Sequence, residues 1–328
     1  MIMRFLSSYL GMYMTQAVLH SLVAVTMVEF AFFAWGIQDH RSRFRYRLLS
    51  LTLPVVLFPA FQVINPDRGS LFFRYESALF NSHQWLSLSL FGILPLYTLF
   101  IAFLILISLI FLFQEILPIL KSRSTDIPLK PSETDATLEE ALEEACAGLS
   151  VDKPAVMVLD EDYPILFTGG TMSHTLVISR VLLDRLSRQE LMSALLHELI
   201  HMKRGSSLKT QIIYILRMLM FFNPFSLVEF RRIVHDDEFI CDSMAIAITR
   251  DPSALVRAIE VFISPVEEKS DNSISGMQKR IESHSHNVLI SERIEHVSSM
   301  QGTELPSFSW GPYVMTAYAI IQICYMVV

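Results

Sequence analysis

The sequence predicts an α+β protein, with about four transmembrane helices and a mostly helical polar domain that contains a small β-sheet. The first observation behind this fold class is a mean hydropathy of +0.42, with 52% hydrophobic residues. The second is a set of four long apolar runs. The third is a polar region, from about 121 to 304, in which a helical pattern, short strand patterns and longer helical patterns follow one another.

The apolar runs predict the membrane-spanning helices, because about 20 helical residues cross the hydrocarbon core of a bilayer. The first run is too long, and its N-terminal flank too uncharged, for a signal peptide. It contains His20 and Glu29. A carboxylate at that depth often has a function, and the alternative is a residue that is protonated or faces a neighbouring helix. In chain order the runs are residues 16–38, 48–64, 85–113 and 309–328.

Basic residues in the short loops predict the orientation of these spans. The loop after the first span reads DHRSRFRYR, so that end is expected in the cytoplasm. The loop 65–84 balances its charges and is expected outside, whereas KSRSTDIPLK after the third span is basic again. The sequence therefore predicts a multi-pass protein of the cell's inner (plasma) membrane, with its polar region in the cytoplasm.

Charge and cysteine content exclude several classes of protein. The net charge is −7 without basic blocks, which argues against a nucleic acid partner. The three cysteines are far apart, so neither a disulfide framework nor a cysteine zinc cluster is expected, in agreement with a reducing compartment. The lipid bilayer is an expected partner, and whether the chain forms a homo-oligomer is left open.

The polar region divides into a linker, an amphipathic helix, a small sheet and long helices. Residues 121–135 are rich in Ser, Thr, Pro and Lys, as is typical of a linker. Strands are predicted at 155–160, 163–167 and 174–180. The predicted domains are residues 1–120 with three transmembrane helices, 121–304 as the cytoplasmic domain and 305–328 as a C-terminal transmembrane helix.

The stretch 207–222 is apolar enough to suggest a fifth span. Lys209 and Arg217 would then both lie inside it. We therefore expect a helix that lies against the membrane surface or packs beneath the spans. Asn223 and Pro224 end this helix, and a second long helix follows.

The segment SALLHELIHMKRG contains two histidines four residues apart, with a glutamate directly after the first. Residues four apart share one face of a helix, so His197 and His201 can bind one ion. Glu198 points about 100° away, where it can reach a water without being a ligand. Zinc lowers the pKa of such a water and a carboxylate takes its proton. The pattern indicates a catalytic zinc site; an ordinary charged helix is the alternative.

A catalytic zinc needs a third protein ligand. The segment HDDEFICD offers Glu238 and Asp242, which are also four residues apart. One can bind zinc while the other accepts a hydrogen bond from a ligand histidine. We assign Glu238 to the metal and Asp242 to that hydrogen bond, with His235 as a weaker candidate.

The chain resembles integral-membrane zinc metallopeptidases of the M48/M56 clan. LLHELIHMKRG, FFNPF and DDEFICDSMA follow one another as in M56 peptidases of the antibiotic-sensing BlaR1/MecR1 type. The flanking sequence and the late segment SHSHNVLISERIEHV are similar to M48 peptidases of the HtpX kind. The resemblance covers about residues 135–300.

The resemblance implies a gluzincin protease domain with zinc on His197, His201 and Glu238 and with Glu198 as the general base. It also implies that a substrate pairs as an added strand along the sheet edge near 174–180.

His286 and Arg293 match the late motif of the M48 peptidases. The resemblance makes them candidates for oxyanion or substrate contacts, with a surface ion pair as the alternative.

The leading hypothesis is a zinc endopeptidase that cleaves protein or peptide substrates at the cytoplasmic membrane face. One alternative is a sensor-transducer that cleaves itself or a repressor after a signal. Another is a catalytically silent membrane scaffold with a structural zinc. Antibiotic-sensing members carry an extracellular sensor domain after their last span, whereas this sequence stops at Val328. A signal is therefore expected through the loop 65–84, the spans or a partner.

Overall fold

The computed structural model describes residues 2–70, 72–117, 131–132, 136–161, 163–169, 174–263, 288–300 and 308–328. It is mostly helical with small sheets, so the predicted α+β class is confirmed. The chain divides into two compact units. The first unit contains Met1–Ile127, Gln211–Asp236 and Pro306–Val328, and the second contains Pro128–Thr210 and Asp237–Leu305.

The elements up to residue 117 are mostly long helices. In chain order they are α1 (Ile2–Leu6), α2 (Tyr9–Ala34), α3 (His40–Ile64), a 3-10 turn (Pro66–Gly69), a π turn (Phe73–Ser77), α4 (Ser82–Ser87), the hairpin strands β1 (Ser89–Leu90) and β2 (Leu94–Pro95), α5 (Leu96–Phe111) and a second π turn (Leu112–Ile116).

The elements from residue 131 onward combine a four-stranded sheet with further helices. They are β3 (Pro131–Ser132), α6 (Ala136–Leu149), β4 (Ala155–Leu159), β5 (Leu166–Gly169), β6 (Thr175–Ser179), α7 (Arg180–Arg185), α8 (Arg188–Lys203), α9 (Ser206–Leu219), α10 (Pro224–Thr249), α11 (Pro252–Glu260), α12 (288–299) and α13 (Trp310–Tyr325).

Three helices in the described part of the chain are long and apolar enough to cross a membrane: Tyr9–Ala34, His40–Ile64 and Leu96–Ile116. They correspond to the first three predicted spans. The third begins at Leu96 rather than at residue 85, because α4 and the β1–β2 hairpin precede it. The fourth span was predicted at residues 309–328, where the structure has helix α13 with 16 residues. That makes it about 24 Å long, shorter than a typical hydrocarbon core.

Side chains of the first half of α10 form ion pairs within the first unit. Arg232 lies 2.8 Å from Glu29, so the carboxylate in the first span faces a neighbouring helix and is paired there. Asp236 is buried and contacts His40 at 2.7 Å and Arg47 at 3.1 Å. These pairs neutralise charge that would otherwise be costly beside apolar helices.

The residues before α10 form a tight turn that is stabilised by Asn223. Its side-chain oxygen accepts a hydrogen bond from Phe225 N at 3.1 Å, and its amide donates to Ser21 Oγ at 2.7 Å. Pro224 follows at the first helical position, where its missing N–H costs no helix hydrogen bond. The Asn–Pro segment therefore separates α9 from α10 and begins α10, as predicted.

The core of the second unit is built from α6, α8, the sheet, the second half of α10, and helices α11 and α12. Helix α6 contributes Leu138, Leu142 and Leu149, whose spacing places them on one face. Helix α8 contributes Leu195 and Leu199, both fully buried. This packing fixes the rotation of α8 about its axis and hence the direction of its polar side chains.

Helix α8 has well-defined ends. Ser187 and Glu190 form a reciprocal capping box at its start. The helix ends at Lys203, and Gly205 follows with a φ of 63°, a conformation that glycine adopts without strain. Gly205 therefore stops the helix.

The expected position of the sheet edge was wrong. The strand order is β3-β4-β6-β5, so β6 (Thr175–Ser179) pairs on both sides, parallel with β4 and antiparallel with β5. Among the described strands, β3 and β5 lie at the two edges. Ser179 N donates to Ile165 O, and alternate residues of an antiparallel strand point their backbone groups outward. The backbone groups of Leu166 and Thr168 therefore face the open side.

Candidate metal centre

Three elements of the second unit carry the side chains of the predicted site. Helix α8 presents His197 and His201 one turn apart, α10 presents Glu238 and Asp242 one turn apart, and α12 presents Arg293. All five side chains contact at least one other member of this group. The two i, i+4 pairs predicted from the sequence thus meet in the fold.

The three predicted metal ligands converge on one point. His197 Nε2 and His201 Nε2 lie 3.1 Å apart. Their distances to the Glu238 carboxylate oxygens are 3.4 Å and 3.3 Å. Atoms bound to one tetrahedral zinc at about 2.0–2.1 Å lie about 3.3 Å from one another. The donor set therefore fits a zinc ion with three protein ligands.

Carboxylates orient both imidazoles from behind. His197 Nδ1 lies 2.8 Å from Asp242 Oδ1, and Asp242 is fully buried. His201 Nδ1 lies 3.6 Å from Asp237 Oδ2, while Arg204 holds the other Asp237 oxygen at 2.6 Å. With each Nδ1 turned to an acid, each Nε2 faces Glu238, which is the arrangement that metal-binding histidines require.

Asp237 contacts His201, although no role was predicted for it from the sequence. It lies four residues before Cys241 on α10, and Cys241 Sγ is 3.5 Å from His201 Nδ1. The i, i+4 spacing of Asp237 and Cys241 was the available signal. The contacts of these two residues with His201 could not be predicted without knowing which side of α10 faces α8.

His201, Asp237 and Cys241 form a second group whose ligand atoms all lie within 4.8 Å of one another. It uses Nδ1 of His201 instead of Nε2. Asp237 and Cys241 are both buried, and a catalytic metal needs an open coordination position. The carboxylate of Glu238 is partly exposed, so the group of His197, His201 and Glu238 leaves better access for a substrate to a bound metal.

Arg293 is part of a buried ion pair. Its guanidinium lies 2.7 Å and 2.8 Å from the two Asp242 oxygens and 3.1 Å from Glu238. Burial lowers the pKa of Arg293, but Asp242 and Glu238 raise it above its ordinary value. Arg293 thus forms an ion pair, as the alternative from the sequence had it, but with a fully buried carboxylate rather than at the surface. His286, the other residue of the late motif, lies outside the described residues.

Glu198 stands apart from the ligand group. Its Oε2 accepts a hydrogen bond from Thr168 N on the edge strand β5, at 3.1 Å. Burial raises the pKa of the Glu198 carboxyl above its ordinary value, although the neighbouring His197 and His201 oppose this. A carboxylate with a raised pKa is a better proton acceptor near neutral pH.

Comparison with protein families gives the class of the chain. The family model described as BlaR1 peptidase M56 matches residues 89–253, about half of the chain. The matched region includes the third apolar helix, the sheet, and helices α8 to α10. Together with the apolar helices, this match places the protein in the class of membrane-anchored peptidases.

More particularly, the chain belongs to the BlaR1 peptidase M56 family. The match includes His197, Glu198, His201 and Glu238, whereas Arg293 lies beyond it. No curated protein and no solved structure matches the chain.

Proposed function

We propose that the protein is a zinc-dependent endopeptidase that cleaves protein or peptide substrates at the cytoplasmic face of the membrane. The observation that carries this proposal is the convergence of His197 Nε2, His201 Nε2 and the Glu238 carboxylate, at mutual distances of 3.1 to 3.4 Å. The cytoplasmic location rests on the arginines of the loop after the first span.

His197, His201 and Glu238 would hold the zinc, as in the M48/M56 gluzincins that the chain resembles. When bound, zinc supplies Lewis acidity for water activation and carbonyl polarisation. Glu198 accepts the proton of the attacking water and returns it to the leaving amine. Asp242 and Asp237 hold the two imidazoles in the tautomer that leaves Nε2 unprotonated.

Arg293 acts in this proposal as a positioning residue. Its guanidinium contacts the carboxylates of both Asp242 and Glu238. Asp242 orients His197, and Glu238 would bind the metal. A guanidinium engaged in this way holds the two carboxylates of α10 in register. The oxyanion or substrate contact that the resemblance implied for Arg293 stays a prediction beside this role.

The substrate is expected to add as a strand to the open edge of β5 rather than along β6. Leu166 and Thr168 direct their backbone groups to that side, where the Thr168 N–H already donates to Glu198. Pairing would therefore use the groups of Leu166 and the Thr168 carbonyl. An extended peptide on β5 would therefore run beside the general base. Pairing through main-chain groups admits many side chains, which suits a protein substrate.

A sensor-transducer that cleaves itself or a repressor is the second candidate function. Membership of the BlaR1 peptidase M56 family is the observation that favours it. A sensor-transducer would use the same hydrolytic chemistry, so the roles of the site residues are unchanged. It differs from the first candidate in that a signal controls cleavage of its substrate. A silent scaffold is disfavoured because Glu198 has no part in holding a structural zinc.

We expect peptide hydrolysis by the purified full chain in detergent to disappear when a chelator removes the metal. Hydrolysis should return when one equivalent of zinc is restored, because the ligand set holds one ion. The measurement is release of a fluorogenic peptide, with metal content determined in parallel by mass spectrometry. Full activity in demonstrably metal-free protein would contradict the proposal, as would zinc-loaded protein that hydrolyses no peptide or protein offered.

A further inference from the structure

Helix α9 (Ser206–Leu219) has an exposed face that is apolar. Leu208, Ile212, Ile215 and Leu219 follow one another at spacings of four, three and four residues, so they form one stripe along the helix. Each of these side chains is between 51% and 57% exposed. We call these four residues the α9 stripe. A helix that faces water normally turns such a stripe towards the core.

The opposite face of α9 carries Arg217. Arg217 is 1% exposed, and its guanidinium lies 3.0 Å from Glu115, in the π turn that follows α5. The guanidinium also lies against the rings of Phe111, at 5.0 Å, and Phe230, at 5.8 Å. The ion pair thus turns inward and the isoleucines turn outward. This inverted amphipathic pattern suits an apolar surrounding better than water.

The α9 stripe is continuous with the apolar surface of the third membrane-spanning helix. Phe221, which follows α9, is 40% exposed and its ring lies 6.1 Å from that of Phe111 on α5. Helix α5 itself exposes a row of large apolar side chains, including Leu106 and Leu109. An exposed apolar surface on a helix of this length and hydropathy faces lipid. The same lipid therefore reaches the stripe.

We propose that α9 is an in-plane membrane helix whose stripe is embedded at the boundary between lipid headgroups and acyl chains. Lys209 is exposed beside the stripe, and its long side chain can extend to headgroup phosphates. Helix α8 ends at Lys203 and only two residues separate it from α9. The helix that carries His197 and His201 is therefore tethered directly to the bilayer. This inference does not depend on the proposed function.

Collision accessibility of spin labels in the full chain, reconstituted in vesicles of phosphatidylcholine and phosphatidylglycerol, tests the proposal. Labels are placed one at a time by Ile212→Cys and Ile215→Cys. The native cysteines are buried, and a sample without added cysteine measures their background labelling. Leu106→Cys on α5 gives the lipid reference, and Glu140→Cys on the exposed face of α6 gives the aqueous reference.

The expected result is a ratio of oxygen to nickel-chelate collisions at both α9 positions several-fold above that of Glu140→Cys and close to that of Leu106→Cys. Oxygen concentrates in lipid, whereas the chelate stays in water. A ratio equal to that of Glu140→Cys would show that the stripe faces solvent and would overturn the proposal. Low collision rates with both agents would show that protein, such as a second copy of this chain, covers the stripe, and would overturn it equally.

Discussion

Replacing Glu198 by Gln is expected to lower peptide hydrolysis by about 10²–10⁴-fold, the range that a general base contributes, while zinc content stays at the wild-type level. Glutamine has nearly the same shape and its amide oxygen can still accept the hydrogen bond from Thr168 N. It cannot take a proton from water. Because Glu198 is outside the group of three ligands, its replacement leaves the metal-binding atoms in place.

The measurement is kcat on a fluorogenic peptide, together with metal content by mass spectrometry on the same samples. Glu140→Gln removes an exposed carboxylate from α6 and is the matched control, for which wild-type kcat is expected. If Glu198→Gln retained kcat within a few-fold of the wild type at equal zinc content, another group would be the base. The catalytic assignment would then be wrong.

Replacing Asp242 by Asn is expected to destabilise the protein by about 3–5 kcal/mol, the usual cost of removing one partner of a buried ion pair. Asp242 is fully buried, and it accepts two hydrogen bonds from the Arg293 guanidinium while it contacts His197 Nδ1. The variant leaves the guanidinium without its main counter-charge. The measurement is denaturant unfolding of the metal-free protein in detergent, so that lost zinc affinity does not enter the result.

The double variant Asp242→Asn with Arg293→Met is the control for this mechanism. Methionine keeps an unbranched apolar stem and removes the stranded charge, so much of the lost stability should return. Glu144→Gln, which breaks an exposed pair with Arg188, should change stability little. A single Asp242→Asn variant as stable as Glu144→Gln would contradict the account of the pair.

Stability should also depend on pH through Asp242. Burial raises the pKa of Asp242, but Arg293 and His197 outweigh it and hold the pKa below its ordinary value. A carboxyl with a lowered pKa stabilises the folded state at neutral pH, and that contribution is lost as the pH falls through the lowered value. The difference in the free energy of unfolding between wild type and Asp242→Asn should therefore become smaller at acidic pH.

The core of the site could be predicted because it depends on local periodicity. Residues four apart share a helix face wherever the helix lies, so His197 with His201 and Glu238 with Asp242 were identifiable as pairs. Glu238 was assigned to the metal and Asp242 to the hydrogen bond with a ligand histidine, and the family resemblance implied the same metal ligand. The geometry of Glu238 and Asp242 agrees with that assignment.

The remaining errors concern features that depend on distant parts of the chain. The sheet edge was expected near 174–180 because the resemblance implied it. Strand order depends on which distant segments pair, and the pattern within one strand does not give that order. The third span was begun too early because the apolar run hides a turn at Phe91 and Gly92, both with positive φ. The role of Asp237 needed the rotation of α10 relative to α8.

X-ray absorption at the zinc edge, on the full chain in detergent, tests the proposed metal centre by identifying the atoms bound to zinc. We expect one zinc per chain, with nitrogen and oxygen neighbours alone at about 2.0–2.2 Å and with the outer-shell signal of two imidazoles. A sulfur neighbour at about 2.3 Å would mean that zinc binds the group that contains Cys241. That result, or protein that takes up no zinc, would contradict the proposed centre of His197, His201 and Glu238.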